Sequence, residues 1–220
     1  MKNILIVVAL FIPHTVSTQS SFFNQVDSVK VISNGIELIS PWMGGINAAQ
    51  FSKIDVNDDG LEDLFIFDRT GNTISIYINN GTTFTFNSDY SKSFPPLEYW
   101  ALLRDFNKDG KKDIFSYVSG GIGVWENTSV GTEISFNKLT FTNYTTHTQD
   151  PYMLSYQFGN QTNLFVSKVD IPDINDIDGD GDLDVLTFGV LGSRMEYHQN
   201  FSVENGHAFD SLTYEIKNAC

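Results

Sequence analysis

The 220-residue chain has few cysteines, few basic residues and no long apolar run. Its single cysteine, Cys220, excludes an intrachain disulfide, a cysteine-rich zinc site and a redox pair. Lys and Arg number 13 against 27 Asp and Glu, and the resulting formal charge of −14 disfavours binding to nucleic acid. No stretch approaches the ~18 consecutive apolar residues of a membrane helix, so we expect no membrane insertion. The hydrophobic content, 41%, suffices for a buried core and excludes wholesale disorder.

The N-terminus has the layout of a secretory signal peptide. Lys2 precedes an unbroken apolar run over residues 4–12, and small or polar residues follow Pro13. This order predicts a signal peptide over residues 1–19, with cleavage between about Ser17 and Ser20. The alternative is an N-terminal strand or a buried helix. We therefore expect a secreted or cell-surface protein whose mature part is residues 20–220.

Three acidic segments share the pattern Asp-x-Asp/Asn-x-Asp-Gly-x-x-Asp: residues 55–63, 105–113 and 176–184. Each leads into an apolar strand, a Gly-containing turn, a second strand, a turn rich in Asn and Gly, and a third strand. The strands are predicted at 64–67, 74–78, 83–86, 114–118, 122–125, 134–136, 185–190, 195–198 and 212–216. The repetition indicates one structural unit used three times.

Short strands between Gly, Asn and Asp turns, with no sustained 3.6-residue period, predict an all-β fold with few helices. The acidic segments start 50 and then 71 residues apart, and a polar excursion near 143–163 accounts for the difference. Regular spacing favours β-propeller-like blades of four-stranded antiparallel sheets over a sandwich. Segments 29–32 and 36–39 are predicted strands of an earlier unit. About three to four blades form an incomplete ring, so we expect further blades from a missing C-terminal part or another chain.

The acidic segments have the composition of calcium-binding loops. Calcium takes six to eight oxygen ligands, several of them anionic, and a glycine at the sixth position permits the sharp turn, often at positive φ. Positions 1, 3, 5 and 9 supply side-chain oxygen, and position 7 supplies a backbone carbonyl. The predicted ligands of up to three Ca²⁺ ions are Asp55, Asn57, Asp59, Leu61 and Asp63 in the first loop, Asp105, Asn107, Asp109, Lys111 and Asp113 in the second, and Asp176, Asp178, Asp180, Asp182 and Asp184 in the third.

Three alternatives compete with this prediction. An EF-hand needs flanking helices and a Glu at position 12, where this chain has Ile66, Ser116 and Thr187 inside predicted strands. Magnesium keeps several waters and seldom uses an all-protein cage. Plain Asp-Gly hairpin turns do not need Asp at positions 1, 5 and 9 together. We expect the third loop, with four side-chain carboxylates, to bind best, and the lysine-flanked second loop to bind worst.

The loop, the strand behind it and the trailing Asn-Gly turn resemble FG-GAP/VCBS repeats, the calcium-carrying blades of integrin-α-like β-propellers. The resemblance covers about residues 36–216. The segments 41–45, 103–105 and 171–174 look like the corresponding parts of bacterial secreted VCBS-repeat proteins. This resemblance implies an extracellular module for adhesion or for binding a protein or glycan ligand, in which calcium is structural.

The sequence contains no recognisable catalytic motif. Its histidines form no His-Glu-x-x-His pair, and no nucleophile elbow or phosphate loop is present. We therefore expect no enzyme, with a polysaccharide hydrolase or lyase, or a structural spacer of a larger surface protein, as alternatives. Four aromatic residues are candidates for stacking on sugar rings, or more often for the blade core: Trp42, Tyr99, Trp100 and Trp125.

Overall fold

The computed structural model describes residues 29–38 and 41–219, and it is built almost entirely of β-strands. The predicted signal peptide and Cys220 lie outside the described residues. Within them, helical structure is confined to a one-turn helix α1 (Ser88–Ser91) and a 3-10 turn (Phe209–Ser211). In the same ranges no helix has the length and apolar character that crossing a membrane requires. The predicted all-β fold with few helices is therefore confirmed.

The chain starts with a small hairpin and then forms two antiparallel four-stranded sheets. The hairpin pairs β1 (Ile32–Ser33) with β2 (Ile36–Glu37). Sheet I contains β3 (Ala49–Ile54), β4 (Asp63–Asp68), β5 (Thr73–Asn79) and β6 (Phe84–Asn87). Sheet II contains β7 (Ala101–Arg104), β8 (Asp113–Val118), β9 (Gly121–Asn127) and β10 (Phe136–Lys138). In both sheets every strand pairs with the next along the chain, as in a propeller blade.

Two further hairpins and a third sheet complete the described chain. The hairpins are β11 (Phe141–Asn143) with β12 (Thr148–Asp150), and β13 (Leu154–Gln157) with β14 (Asn160–Asn163). Sheet III contains β15 (Asp173–Asn175), β16 (Asp184–Phe188), β17 (Met195–Asn200) and β18 (Tyr214–Ala219). A parallel pairing of β13 with β18 adds the second hairpin to this sheet, which thereby has six strands. The two hairpins occupy the excursion that the sequence predicts near 143–163.

Sheet II is buried on both faces. On β8, Ile114 belongs to the core shared with sheet I, and the next residue, Phe115, belongs to the core shared with sheet III. Val124 and Trp125 divide in the same way on β9. Because successive side chains of a strand point to opposite faces, an unbroken apolar run suits a sheet with neighbours on both sides.

The first strands of successive sheets adjoin one another. The Gln50 side chain on β3 accepts a hydrogen bond from the backbone N–H of Ala101 on β7, at 3.0 Å. Arg104 at the end of β7 donates from Nε to the carbonyl oxygen of Ile174 on β15, at 2.8 Å. Three sheets linked in sequence through their first strands form an incomplete, propeller-like arrangement, and the described residues form no closed barrel.

The strand predicted at 134–136 is observed at Phe136–Lys138, and the strand predicted at 185–190 ends at Phe188. The structure differs from the predicted strands in two further respects. The first strand of each sheet, β3, β7 or β15, was not predicted individually, because these strands are short or alternate with polar residues and are held mainly by their neighbours. The strand predicted from residue 212 begins at Tyr214 instead. Leu212 has a φ of 47° and ends the 3-10 turn, so it cannot continue an extended strand.

Candidate metal centres

Each acidic loop connects the first strand of a sheet to the second. The loops lie between β3 and β4, β7 and β8, and β15 and β16, and the ninth residue of each loop is the first residue of the second strand. Since the three sheets have the same local topology, the loops occupy equivalent places in them.

Two left-handed residues curl each loop. The glycine at position 6 has a φ of 82° at Gly60, 89° at Gly110 and 102° at Gly181, which confirms the expected positive φ. Position 4 is also left-handed in all three loops, with Asp58 and Lys108 in the first two. The third loop has Gly179 there, and glycine adopts this conformation without the steric cost that a Cβ brings.

The side chains at positions 1 and 5 point into their own loops. Asp55 accepts a hydrogen bond from the Gly60 N–H at 2.8 Å, and Asp105 accepts one from the Gly110 N–H at 3.0 Å. Asp59 accepts from the Leu61 N–H at 2.8 Å, and the position-5 aspartates of the other two loops make the same contact. Carboxylates turned inward in this way present oxygen towards the loop centre, as a bound cation requires.

The aspartate at position 9 is fully buried in every loop and joins the loop to the sheet. Asp63, Asp113 and Asp184 each have no exposed surface. One carboxylate oxygen accepts from the N–H at loop position 2, and the other accepts from the N–H of an asparagine that ends the third strand. These six hydrogen bonds are 2.7 to 3.0 Å long. Position 9 therefore fixes the loop on two strands.

The asparagine that ends the third strand is a second anchor, which the sequence showed only as a recurring turn residue. Asn127 donates from Nδ2 to the carbonyl oxygen of Lys112 at loop position 8, at 3.0 Å. Its Oδ1 accepts from the Ser129 N–H at 3.0 Å. Asn79 and Asn200 make the equivalent pairs of contacts. The recurrence of Asn at this place in each repeat was the available sequence signal.

Burial and the neighbouring carboxylates destabilise the ionised form of the position-9 aspartates unless a cation neutralises the charge. Burial raises the pKa of Asp113 to about 7, with neighbouring loop carboxylates adding to the effect, and it also raises the pKa of Asp63 and Asp184. In addition, Asp105 Oδ1 and Asp180 Oδ2 are buried without a hydrogen-bond partner. A carboxylate oxygen that is buried without a partner destabilises the folded state. A bound hard cation such as Ca²⁺ would supply that partner, so these residues fit such an ion.

The third loop gathers the most carboxylates. One oxygen from each of Asp176, Asp178 and Asp184 lies within 4.8 Å of the others. A second group joins Asp178 and Asp180 to Glu204, a residue outside the predicted set. Across residues 29–38 and 41–219, clusters of three or more acidic, histidine or cysteine ligands occur only here. The other two loops have Asn57 and Asn107 at position 3, so each has three carboxylates at positions 1, 3, 5 and 9, where the third loop has four.

Comparison with known protein families finds one match, and it covers the first two acidic loops. Residues 55–116, from the first loop to the strand behind the second, match the model of the FG-GAP-like repeat family. The match supports an FG-GAP repeat protein. No curated protein matches the sequence.

One solved structure with similarity to the chain is an Agrocybe aegerita lectin, described as recognising non-reducing terminal N-acetylglucosamine. The TM-score is 0.40 at 18% sequence identity, and the match covers 78% of this chain and 38% of the lectin chain. The chain thus spans about two fifths of the lectin's length.

The aromatic candidates divide between the core of the sheets and the surface. Trp100 and Trp125 are buried, and Tyr99 packs edge-on against Tyr117. Trp42 is 44% exposed and lines an open cavity of about 800 Å³ beside sheet I. Of the three tryptophans, only Trp42 is therefore placed to stack on a ligand.

A buried histidine lies on sheet III, where it pairs with Val185, the residue that follows the acidic loop. His198 Nδ1 is 2.8 Å from the Ser155 hydroxyl oxygen, and Nε2 is 3.8 Å from a carboxylate oxygen of Glu196. Burial lowers the pKa of His198 to about 4, although the Glu196 carboxylate opposes the shift. The imidazole is therefore neutral at physiological pH and makes a weak base.

Proposed function

We propose that the protein is an exported calcium-binding module of β-propeller-like blades, which binds an extracellular protein or glycan. The observation that carries the proposal is the threefold recurrence of one loop, with inward carboxylates and a buried aspartate fixed to two strands. The FG-GAP-like match over the first two loops supports it.

The proposed role of calcium is structural. The position-9 aspartate touches both the loop and the end of the third strand, so a cation bound to that aspartate would hold three consecutive strands together. It would also offset the repulsion among buried carboxylates that would otherwise favour opening of the loop. The ligands would be the side chains at positions 1, 3, 5 and 9 and the carbonyl at position 7.

The cavity beside Trp42 is the proposed ligand site. Its lining combines the exposed Trp42 ring with Phe86 and with polar groups from Asn72 and Lys92. An aromatic face with nearby hydrogen-bonding groups suits a sugar ring or an aromatic peptide side chain.

Thermal unfolding in EDTA and in excess calcium tests the calcium proposal. A ligand that binds only the folded state stabilises it by RT ln(1 + [L]/Kd), about 2.7 kcal/mol per site when free calcium is about 100 times Kd. We expect calcium to raise the melting temperature of the wild type. The position-1 variant D55N/D105N/D176N should lose most of the increase, while D58N, outside the ligand set, should keep it. No shift in millimolar calcium would refute the proposal.

Binding to a glycan and protein array, with and without W42A, tests the ligand proposal. We expect W42A to lose binding while its circular dichroism and melting temperature stay those of the wild type. The control is F158A, which removes another exposed aromatic ring, one that does not line the cavity. Turnover of a polysaccharide in the same samples would instead assign the hydrolase or lyase alternative. Sequencing the N-terminus of protein recovered from the medium tests export and cleavage near Ser17 to Ser20.

A further inference from the structure

The side chain at loop position 7 touches the same connection in all three repeats. In the first repeat, Leu61 Cδ1 lies 3.9 Å from the point where a Cβ on Gly81 would stand. In the second, Lys111 Nζ donates to the Ser129 carbonyl oxygen at 2.7 Å. In the third, Asp182 accepts from the Val203 N–H at 3.2 Å. Each contact is with the connection between the third and fourth strands of the sheet.

The third repeat differs from the others in the charge at this contact. An apolar side chain and a lysine occupy position 7 in the first two repeats, whereas Asp182 faces a connection that contains Glu204. The Asp182 N–H donates to the Asp180 carboxylate at 3.0 Å, and the Asp182 carboxylate accepts from the N–H of Val203, the residue before Glu204. Like charges placed together repel, so this contact needs a positive charge that the other two do not need.

The Asp182 side chain supplies an independent indication of a ligand. Only 1% of the residue is exposed, and its Oδ1 has no hydrogen-bond partner. The other oxygen accepts from the Val203 N–H, so the Asp182 carboxylate lies at the connection that contains Glu204. A carboxylate oxygen buried in this state carries the full cost of desolvation unless a cation or donor faces it.

The groups described nearby neutralise this charge only in part. Gln199 Nε2 donates to Asp178 at 2.5 Å and to Glu204 at 2.7 Å, but an amide carries no net charge. Lys108 reaches across from the second loop, with Nζ 3.6 Å from the centre of the Phe209 ring and beside Gly181. The five aspartates of the loop and Glu204 together bring six carboxyl groups to this part of the third repeat.

We propose that a second divalent cation binds in the third repeat, between the acidic loop and the β17–β18 connection, with Asp178, Asp180 and Glu204 as ligands and the buried Asp182 carboxylate beside them. One oxygen from each of the three ligands lies within 4.8 Å of the others. Two ligands of one Ca²⁺ ion stand at most about 5.2 Å apart, twice the longest usual Ca–O distance of about 2.6 Å, so the spacing fits. Asp178 belongs to both groups and would bridge the two ions.

This inference rests on the proposed function, since it assumes that the third loop binds its own ion. The second ion would join the first and second strands of sheet III to the β17–β18 connection. The first two repeats, with Leu61 or Lys111 at position 7, have no equivalent site.

Native mass spectrometry and calorimetry with Ca²⁺ on the full chain test the proposal. We expect E204Q to bind one ion fewer than the wild type. The matched control is E133Q, the same change at an exposed residue in the equivalent connection of the second repeat, which should bind as many ions as the wild type. D176N alters only the loop's own group, so it should lose one ion and keep the one that E204Q loses.

The outcomes separate this inference from the proposed function. Unchanged ion number in E204Q, whether or not the affinity falls, would overturn the second site while leaving calcium binding by the loops intact. No calcium binding by the wild type would overturn both. Circular dichroism of E204Q tests whether the variant is folded, and we expect it to be, because Glu204 is exposed.

Discussion

At the scale of single residues, one side chain often performs two structural tasks in this protein. The position-9 aspartate closes its loop and anchors it to the third strand, and the asparagine at the end of that strand ties down loop position 8. The aspartate and asparagine side chains are buried, so removing one of them leaves buried or half-buried partner groups without their hydrogen bonds.

We predict that N127A destabilises the protein by about 1–3 kcal/mol, because it leaves the Lys112 carbonyl and the Ser129 N–H without their partner. Urea unfolding in EDTA measures the free energy of unfolding free of any contribution from calcium. The control is N137A, a neighbouring exposed asparagine, which should change it by less than about 0.5 kcal/mol. Equal effects of the two substitutions would contradict the anchoring role.

The burial of His198 predicts that the free energy of unfolding depends on pH. Its pKa is about 4 in the folded protein and 6.5 for the unperturbed side chain, so the unfolded state binds the extra proton first as the solution is acidified. The neutral histidine thus contributes stability that is fully present above pH 6.5 and is lost as the pH falls towards 4. We expect the free energy of unfolding of H198Q to fall less steeply than that of the wild type across this window.

The matched control for this prediction is H207Q, at an exposed histidine. Denaturant unfolding of all three proteins in EDTA at intervals between pH 4 and pH 7 gives the difference curves. If H198Q follows the wild type throughout, burial of His198 does not shift its titration.

At the scale of elements, the β13–β14 hairpin of the excursion is held closely against sheet II at its two ends. Met153 donates its backbone N–H to the Ile122 carbonyl on β9 at 2.8 Å, and Leu164 in turn donates to Met153 at 2.9 Å. The Asn163 side chain donates to the Gly120 carbonyl oxygen. A Cβ on Gly121 would lie 2.3 Å from the Leu164 carbonyl oxygen, so glycine is required by the approach of another backbone.

We predict that G121A destabilises the protein by about 1–3 kcal/mol, because the added methyl group forces the Leu164 segment away from β9. G44A is the control, since a Cβ on Gly44 meets nothing within 4 Å. Urea unfolding should show a lower midpoint for G121A alone. A midpoint for G121A equal to that of G44A would mean that the excursion is not held against the sheet.

At the scale of the whole molecule, the formal charge of −14 opposes folding. Much of the acidity is concentrated in three loops at equivalent places in the sheets, so bound cations would relieve the repulsion where it is strongest. Sheet II takes part in both hydrophobic cores, which couples the loops of neighbouring sheets through a shared packing unit.

We predict that salt stabilises the protein more in EDTA than in calcium. Raising NaCl from about 0.05 M to about 0.5 M shortens the Debye length and weakens repulsion among exposed carboxylates. An effect of about 1 kcal/mol corresponds to ~2–4 °C in melting temperature for a protein of this size. Differential scanning calorimetry in both buffers measures it, with KCl in place of NaCl as the control for ion-specific binding. An equal salt effect in the two buffers would contradict the proposal that bound calcium neutralises the loop carboxylates.

The sequence alone was sufficient for features that depend on neighbours within about ten residues. The acidic loops, the left-handed glycine at position 6 and the apolar strands behind each loop follow from local spacing, because turn geometry and strand alternation are properties of short segments. The four-stranded sheets were predicted from the regular spacing of the acidic loops, and in them each strand pairs with the next along the chain.

Only the tertiary structure decided features that depend on residues far apart in the chain. The strands β3, β7 and β15 carry a weak local signal and are held by side chains such as Gln50 and Arg104 from neighbouring strands. Val203, the residue before Glu204, donates its N–H to Asp182, 21 residues earlier in the chain, and no local pattern specifies this contact. Likewise, Trp100 and Trp42 are alike as sequence candidates, and packing of the sheets places one in the core and leaves the other at a cavity, because burial depends on the whole set of contacts.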